Sequence, residues 1–280
     1  MTLSSQVGDQ AASDAAITAQ RVETKYLVPA ARLPALSRVI GAHLTAHRFS
    51  GEGAHRLPSA EHHVTTLYFD TQTRAYYAAA RANRLSHVKL RAKEYYDLYP
   101  ALAELATEPE QIVRYQPWLW FELKRREGLI TSKRRFRFPK SAAASLFRER
   151  PRDVSLSGDT AERADAQVLI EHVRAQTETI APSALVNYQR LSFQDAESTL
   201  RVTIDLGLSY FAVPGDLFER TSPLTRSALG KPVGGESRAV VEVKRLSPEP
   251  AWLLEALGEA AGGPCSFSKF LAASEAVHGP

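Results

Sequence analysis

Apolar residues alternate with charged or polar ones in a series of short segments, and within each segment the polar positions fall two apart. The series reads Arg21-Val-Glu23-Thr-Lys25, Lys89-Leu-Arg91-Ala-Lys93, Glu122-Leu-Lys124, Tyr188-Gln-Arg190, Arg201-Val-Thr203-Ile-Asp205 and Glu242-Val-Lys244. Side chains on a strand change face at every residue. Each segment therefore presents its polar set to one side, and Leu90, Leu123, Val202, Ile204, Val241 and Val243 to the other.

Read along the whole chain, the pattern predicts strands over Val22–Val28, His63–Asp70, Ser86–Tyr96 and Arg238–Lys244. Two hairpins are predicted. One pairs Trp118–Glu127 with Thr131–Phe138 around Gly128, and the other pairs Ala184–Phe193 with Thr199–Asp205 across the Asp195–Ser198 turn. Helical spacing marks Ala31–His43, where Leu33, Leu36, Val39 and Ile40 share a face, and again Lys140–Arg148, Ala161–Thr177, Pro248–Leu257 and Ser268–Val277. Asp70 reads as the N-cap of a short helix through Tyr76, Tyr77 and Ala80. Phe49–Ala60 and Pro151–Thr160 read as loops, Leu98–Gln116 as a poorly patterned insertion, and Phe211–Gly235 as a connection with room for one short strand.

Strands outnumber helices and most come in hairpins, which favours a large antiparallel sheet over parallel βαβ units. A solvated face would explain any one ionic strand. Arg, Lys and Glu recurring at one parity on strand after strand point instead to a shared interior. The expected fold is α+β: a closed antiparallel β-barrel tunnel, with the ionic parity inside and helices packed against the apolar parity outside. Like charges held together away from water repel strongly unless compensated. A phosphate chain compensates Lys and Arg, a divalent metal compensates carboxylates, and a metal-bound polyphosphate does both.

Composition narrows the class further. A content of 44% hydrophobic and 24% charged residues is that of a globular chain. The net charge of +4 suits an acidic ligand, and no long Lys/Arg run supplies an arm for nucleic acid, which is not expected as a partner. Cys265 is the only cysteine, so an intrachain disulfide and a multi-cysteine zinc site are excluded, and a reducing, cytoplasmic setting is expected. No stretch reaches the ~18 apolar residues of a spanning helix, so no direct membrane insertion is expected. Residues 1–19, polar and rich in Ala and Ser, read as a disordered leader without the basic start and apolar core of a secretory signal. Residues 20–277 read as a single catalytic domain.

Phosphate loops of the Gly-x-x-x-x-Gly-Lys-Ser/Thr type, dinucleotide fingerprints and nucleophile elbows are missing from the sequence. His43 and His47 stand four apart without a third ligand. Trp118, Trp120 and Phe121 read as packing, with adenine stacking by one of them left open.

Several motifs occur in a fixed order: Arg21-x-Glu23-x-Lys25-Tyr26, Thr66-Leu-Tyr-Phe-Asp70-Thr71, Lys89-x-Arg91, Glu122-x-Lys124, Tyr188-x-Arg190, Arg201-x-Thr-x-Asp205, Glu242-x-Lys244 and Phe267-Ser268-Lys269-Phe270. Together they resemble the VTC domain, the polyphosphate polymerase branch of the triphosphate tunnel metalloenzyme (CYTH-like) superfamily, over nearly the whole chain. The resemblance implies a closed tunnel, transfer of the γ-phosphate of ATP to a growing polyphosphate chain with release of ADP, and dependence on Mn2+ or Mg2+. ATP and polyphosphate are the implied ligands, and a separately encoded membrane partner stays open. Hydrolase and cyclase relatives typically open with Glu-x-Glu-x-Lys. The arginine at position 21 replaces the first of those glutamates with a phosphate clamp and favours the polymerase branch. The phosphate-sensing domain and membrane helices of eukaryotic polymerase subunits have no counterpart in this sequence.

Position by position, the resemblance implies phosphate contacts for Arg21, Lys25, Lys89, Arg91, Lys124, Tyr188, Arg190, Ser268 and Lys269, with Arg201 and Lys244 as further substrate contacts. Lys133, or Arg134 or Arg135 in its place, fills the next basic position. Glu242 is the implied metal ligand, assisted by Glu122 or Glu23 through water. Phosphoryl transfer needs positioning and charge neutralisation. Arg91 and Arg190 suit bidentate forks on the β- and γ-phosphates, while Lys25, Lys89, Lys124 and Lys269 suit point neutralisation. Ser268 suits a hydrogen bond to phosphate, or the N-cap of the last helix, better than a nucleophile. Two alternatives stand beside the polymerase: a triphosphate or polyphosphate hydrolase on the same scaffold, and a non-catalytic polyphosphate or nucleotide sensor.

Overall fold

The structure is a computed structural model, and it describes residues 22–47, 61–83, 86–100, 111–115, 118–127, 130–147, 159–220 and 222–280. The expected leader, Arg21, the Phe49–Ala60 loop and the Gly128 turn lie outside the described residues. The chain divides into two compact units. One comprises residues 1–47, 191–206 and 237–267, and the other residues 48–190, 207–236 and 268–280.

The first unit contains β1 (Val22–Val28), α1 (Leu33–His43), β2 (Thr45–Ala46), the start of β9 (Leu200–Phe211), β11 (Ala239–Arg245) and α4 (Ala251–Ala261). Pro34 opens α1, where its fixed φ suits the first turn. Leu36 and Ile40, four apart, face inward. Leu253 and Leu257 repeat that spacing on α4, which ends at Gly262 in the left-handed conformation (φ 77) that glycine adopts without strain. Both helices contribute to one core with Val202, Ile204, Val241 and Val243, the apolar parity of the strands. Burying each such side chain contributes about 1.5–3 kcal/mol.

The second unit contains β3 (Glu61–Thr71), α2 (Ala75–Arg81), β4 (Ser86–Pro100), β5 (Gln111–Tyr115), β6 (Trp118–Glu127), β7 (Ile130–Pro139), α3 (Thr160–Arg174), most of β8 (Ile180–Gln194), β10 (Gly234–Glu236) and α5 (Lys269–His278). Its apolar parity carries Phe69, Leu90, Phe121, Leu123 and Phe136, with Phe69 stacked on Phe147 at 4.3 Å.

Three local expectations change. Leu98–Gln116 is not unpatterned throughout, because β4 runs on to Pro100 and β5 pairs with it. The expected helix after Pro139 is a 3-10 helix, Lys140–Leu146; Ala143 and Leu146, three apart, are both fully buried, and side chains three apart eclipse in that geometry. Asp70 caps the next helix from a distance: Arg74 (φ 60) holds the cap position, while Asp70 accepts from the backbone N–H groups of Tyr76 and Tyr77 at 2.9 and 3.0 Å.

The expected closed barrel is not formed. The hydrogen-bonded path of the eleven-stranded sheet is β1-β11-β9-β8-β3-β4-β6-β7, with β2, β5 and β10 off it, and among the described residues its two ends do not pair. The edges have other partners. On β7 the Arg135 backbone N–H donates to Asp165 of α3 at 2.9 Å, and on β1 the Lys25 carbonyl accepts from the Cys265 N–H at 2.8 Å. A helix side chain and a loop backbone thus take groups that a closing strand would need, which is how open sheets protect their edges.

Candidate functional site

Strand register builds the densest ionic cluster, and it lies within the second unit. On β4, β6 and β7 the polar parity forms rows. Lys89, Lys124 and Lys133 stand side by side, then Arg91, Glu122 and Arg135, then Lys93, Trp120 and Arg137. Like charges directly opposite across strands destabilise a sheet; in the first row Lys133 has Glu122 at 3.4 Å, and Lys124 and Lys133 are exposed to solvent.

Glu122 is 2% exposed and stands against four cations. Arg91 Nε donates to it at 2.7 Å and Lys93 Nζ at 3.2 Å, while Lys133 Nζ lies at 3.4 Å and Arg135 Nε at 3.6 Å. Burial would raise its carboxyl, but Arg91, Lys93, Lys133 and Arg135 together hold it well below the usual carboxylate range. Burial lowers the proton affinity of Lys93, and Arg91, Lys133 and Arg190 lower it further against the pull of Glu122. One carboxylate among four cations leaves net positive charge; Lys93 is buried, while Arg91, Lys133 and Arg135 each keep about a third of their side-chain surface.

Tyr188 adds an aromatic floor. It is 2% exposed, and the Arg190 guanidinium and the Lys269 ammonium lie 5.3 and 5.1 Å from its ring centre, within cation–π range. Ser268 caps α5, accepting from the Leu271 N–H, and also accepts from Lys89 Nζ at 3.4 Å. The N-cap reading of Ser268 therefore has a geometric basis, and the serine ties Lys89 to the helix that carries Lys269.

The first unit holds a smaller, alternating cluster. Register places Glu23 opposite Lys244 and Lys25 opposite Glu242 on β1 and β11. Lys25 Nζ lies 3.1 Å from Glu23 and 4.0 Å from Glu242, and donates to the Phe267 carbonyl at 3.3 Å. Lys244 donates to Glu242. Arg201, opposite Lys244, donates through Nε to Gln194 at 2.8 Å.

Among the described residues no group of three or more His, Cys, Asp or Glu side chains could hold a metal. Mg2+ is commonly bound by one or two carboxylates with substrate phosphates and water completing the shell. Glu23 and Glu242 fit that description: their hard oxygen donors share a face on adjacent strands, with the ammonium groups of Lys25 and Lys244 beside them. Glu122 fits poorly, because both its oxygens are committed to cations.

The structure thus gathers Lys89, Arg91, Lys133 and Glu122, with Lys124 in register between Lys89 and Lys133. It places Tyr188, Arg190 and Lys269 together, and Glu23, Lys25, Glu242 and Lys244 together. Sequence reasoning passed over Lys93, and it offered Arg135 only in place of Lys133. The signal for Lys93 was available, since it shares parity with Lys89 and Arg91. Arg135 required the pairing of β6 with β7, which sets it beside Glu122 and lays its guanidinium 4.0 Å from the Trp120 ring.

Compared with protein families, the chain matches the VTC domain over residues 20–278. Against curated proteins it finds no match. Among solved structures it is similar to a candidate adenylate cyclase from Bacillus halodurans, with a TM-score of 0.47, 13% identity, and coverage of 90% of this chain and 98% of that one. It is also similar to a candidate adenylyl cyclase from Hippeastrum described as having a dominant triphosphatase activity, with a TM-score of 0.47, 14% identity, and coverage of 90% and 94%. At TM-scores below 0.5 neither likeness bears on chemistry.

Proposed function

The chain belongs to the VTC domain family, and from that membership together with the cation rows we propose that it is an enzyme acting on triphosphate or polyphosphate, and more specifically a polyphosphate polymerase. The observation that carries the reading is Glu122 with four cations around it, beside the Lys89–Lys124–Lys133 row. An ordinary wet sheet face gains nothing from holding so much like charge in register. An anion with many oxygens relieves it.

In this reading Arg91 and Arg190 hold phosphate oxygens in fork geometry, and Lys89, Lys124, Lys133 and Lys269 neutralise the chain between them. Lys25, Arg201 and Lys244 are further phosphate contacts, and Arg21 belongs with them by sequence. Glu242 with Glu23 would hold Mn2+ or Mg2+, and such an ion withdraws charge from the phosphate oxygens it binds. An oxygen of the acceptor's terminal phosphate attacks the γ-phosphorus of ATP, the bond from that phosphorus to the bridging oxygen breaks, and ADP leaves. The residues position and neutralise; none need act as a nucleophile. We take the two units as parts of one catalytic domain, working in the cytoplasm as the lone cysteine suggests. Among the described residues no helix is long and apolar enough to cross a membrane.

The test is incubation of the purified protein with ATP and Mn2+ or Mg2+. Long chains on a gel, with ADP released, are the expected result, and Arg190→Ala and Glu242→Gln should abolish them while leaving the circular dichroism spectrum intact. Phosphate release without chains would replace the polymerase with a hydrolase, and binding without turnover would leave a sensor.

A further inference from the structure

In the first unit a buried hydroxyl stands beside the candidate cation site. Thr203 lies on β9 between Val202 and Ile204, which belong to the apolar core, so its side chain takes the opposite, ionic face. It is 4% exposed, and among the described residues its Oγ1 meets no hydrogen-bond partner. Register sets it directly opposite Glu242 on β11. Directly opposed residues share a face, with Cβ atoms about 4.5–5.5 Å apart. The flanking residues of that parity on β9 face other partners: Asp205 stands opposite Val240, and Arg201 opposite Lys244.

A buried donor without an acceptor costs stability, and valine would occupy the same place in a strand without that cost. Strand propensity therefore does not account for the hydroxyl. Its neighbours show why it is idle in this arrangement. Glu242 accepts from Lys244 through Oε1, and its Oε2 lies 4.0 Å from the Lys25 ammonium. The carboxylate is turned to the two lysines, and the hydroxyl across the strand pair is left over. The side chains of Lys25 and Lys244 keep 27% and 31% of their surface, so both ammonium groups have solvent to turn into.

We propose that Thr203 is a positioning residue for Glu242 as a cation ligand: its hydroxyl donates to the carboxylate when a divalent cation, rather than Lys244, holds that group. The proposal rests on the reading of Glu23 and Glu242 as the cation site and adds a residue to it. Lys25 and Lys244, repelled by a cation at the carboxylate, turn away from it. Glu242 then has an acceptor site to spare, and Thr203 is the neutral donor opposite. The hydroxyl acts on a neighbouring protein side chain, so it needs no cavity of its own. Carboxylates that ligate metals are in turn hydrogen-bonded, and losing such a partner costs about 10–100-fold in metal affinity.

Titration of the intact protein with Mn2+ alone, the free ion followed by electron paramagnetic resonance, tests this together with thermal unfolding in the absence of metal. Thr203→Val removes the hydroxyl at nearly constant volume. It should weaken Mn2+ binding by about tenfold or more. Its melting temperature without metal should equal or exceed that of wild type, because an unsatisfied donor is gone. Thr203→Ser keeps the donor and should hold the affinity within about threefold of wild type. Glu242→Gln should lose Mn2+ binding. Unchanged affinity in Thr203→Val, with or without a lower melting temperature, overturns the role of Thr203, and so do equal losses in the Val and Ser variants. Wild-type protein that does not bind Mn2+, or Glu242→Gln protein that binds it as wild type does, overturns the cation-site reading itself, and this proposal with it.

Discussion

Replacing Glu122 with Gln removes the carboxylate that holds Arg91, Lys93, Lys133 and Arg135 together, at almost constant volume. The cost is set by how much water each orphaned cation can recover. The side chains of Arg91, Lys133 and Arg135 keep 31%, 35% and 34% of their surface, so solvent screens them and each loses little. Lys93 keeps 8%, and leaving one buried charge without its partner costs about 3–5 kcal/mol. Lys93 can shed its proton, since burial and its neighbours already weaken its hold, and that limits the loss to the lower end, about 3 kcal/mol. Urea unfolding at neutral pH, with the midpoint converted through the common slope, measures it. Saturating polyphosphate should restore stability by binding the folded state, by about 2.7 kcal/mol at a hundred times the dissociation constant. The acid limb supplies the sign. Glu122 is held well below the usual carboxylate range, so its contribution is complete above that range and lost as pH falls through and below it, and the Gln variant should lack that loss. A variant within about 0.5 kcal/mol of wild type, with an unchanged acid limb, would refute the idea that this carboxylate neutralises the cluster.

His172 is buried, accepts at Nδ1 from Arg125 at 2.7 Å, and so presents Nε2–H to Tyr76 at 2.7 Å. Burial first, and Arg125 second, push its pKa down from 6.5 to about 4. The unfolded chain takes up this proton first, so stability should fall by about 3 kcal/mol between pH 6.5 and pH 4, a window above that of Glu122; a ring titrating near 6.5 by NMR would contradict this. Gly235→Ala places a Cβ 2.6 Å from the Leu208 carbonyl oxygen, a backbone atom that cannot swing aside. It should cost about 1–3 kcal/mol and lower the melting temperature, and an unchanged melting curve would mean that β10 does not pair with β9 as described.

Element type was largely legible because the period of two is unambiguous where charge and apolar residues alternate, as at Glu122-Leu123-Lys124 and Glu242-Val243-Lys244. Family membership was legible for the same reason, as an ordered set of such pairs. The 3-10 helix after Pro139 was not, because Ala143 and Leu146 satisfy both helical periods and tertiary packing chose the tighter one. β5 escaped because Gln111–Tyr115 pairs with an extension of β4 rather than continuing a pattern of its own. Closure failed as an expectation for a deeper reason. Parity says which face a side chain takes, and it says nothing about where a sheet's edge hydrogen bonds go. One on β1, the Lys25 carbonyl, pairs with Cys265, and one on β7, the Arg135 N–H, pairs with Asp165; neither partner carries a strand-like signature.

The open sheet removes one premise of the anion site without removing the site. Closure was expected to gather the cations by wrapping distant strands around a common axis. The structure gathers Lys89, Arg91, Lys93, Lys124, Lys133 and Arg135 with three consecutive neighbours, β4, β6 and β7, through register alone. Two residues of slip between β4 and β6 would set Lys89 opposite Glu122, with the same strands, the same parity and the same composition. The site is therefore a property of strand register. Register is fixed on the opposite face by Leu90 against Leu123 and Phe121 against Phe136, whose packing resists a two-residue shift. The apolar face thus holds like charges in line on the ionic face, and the repulsion it withstands is what a bound phosphate chain would relieve.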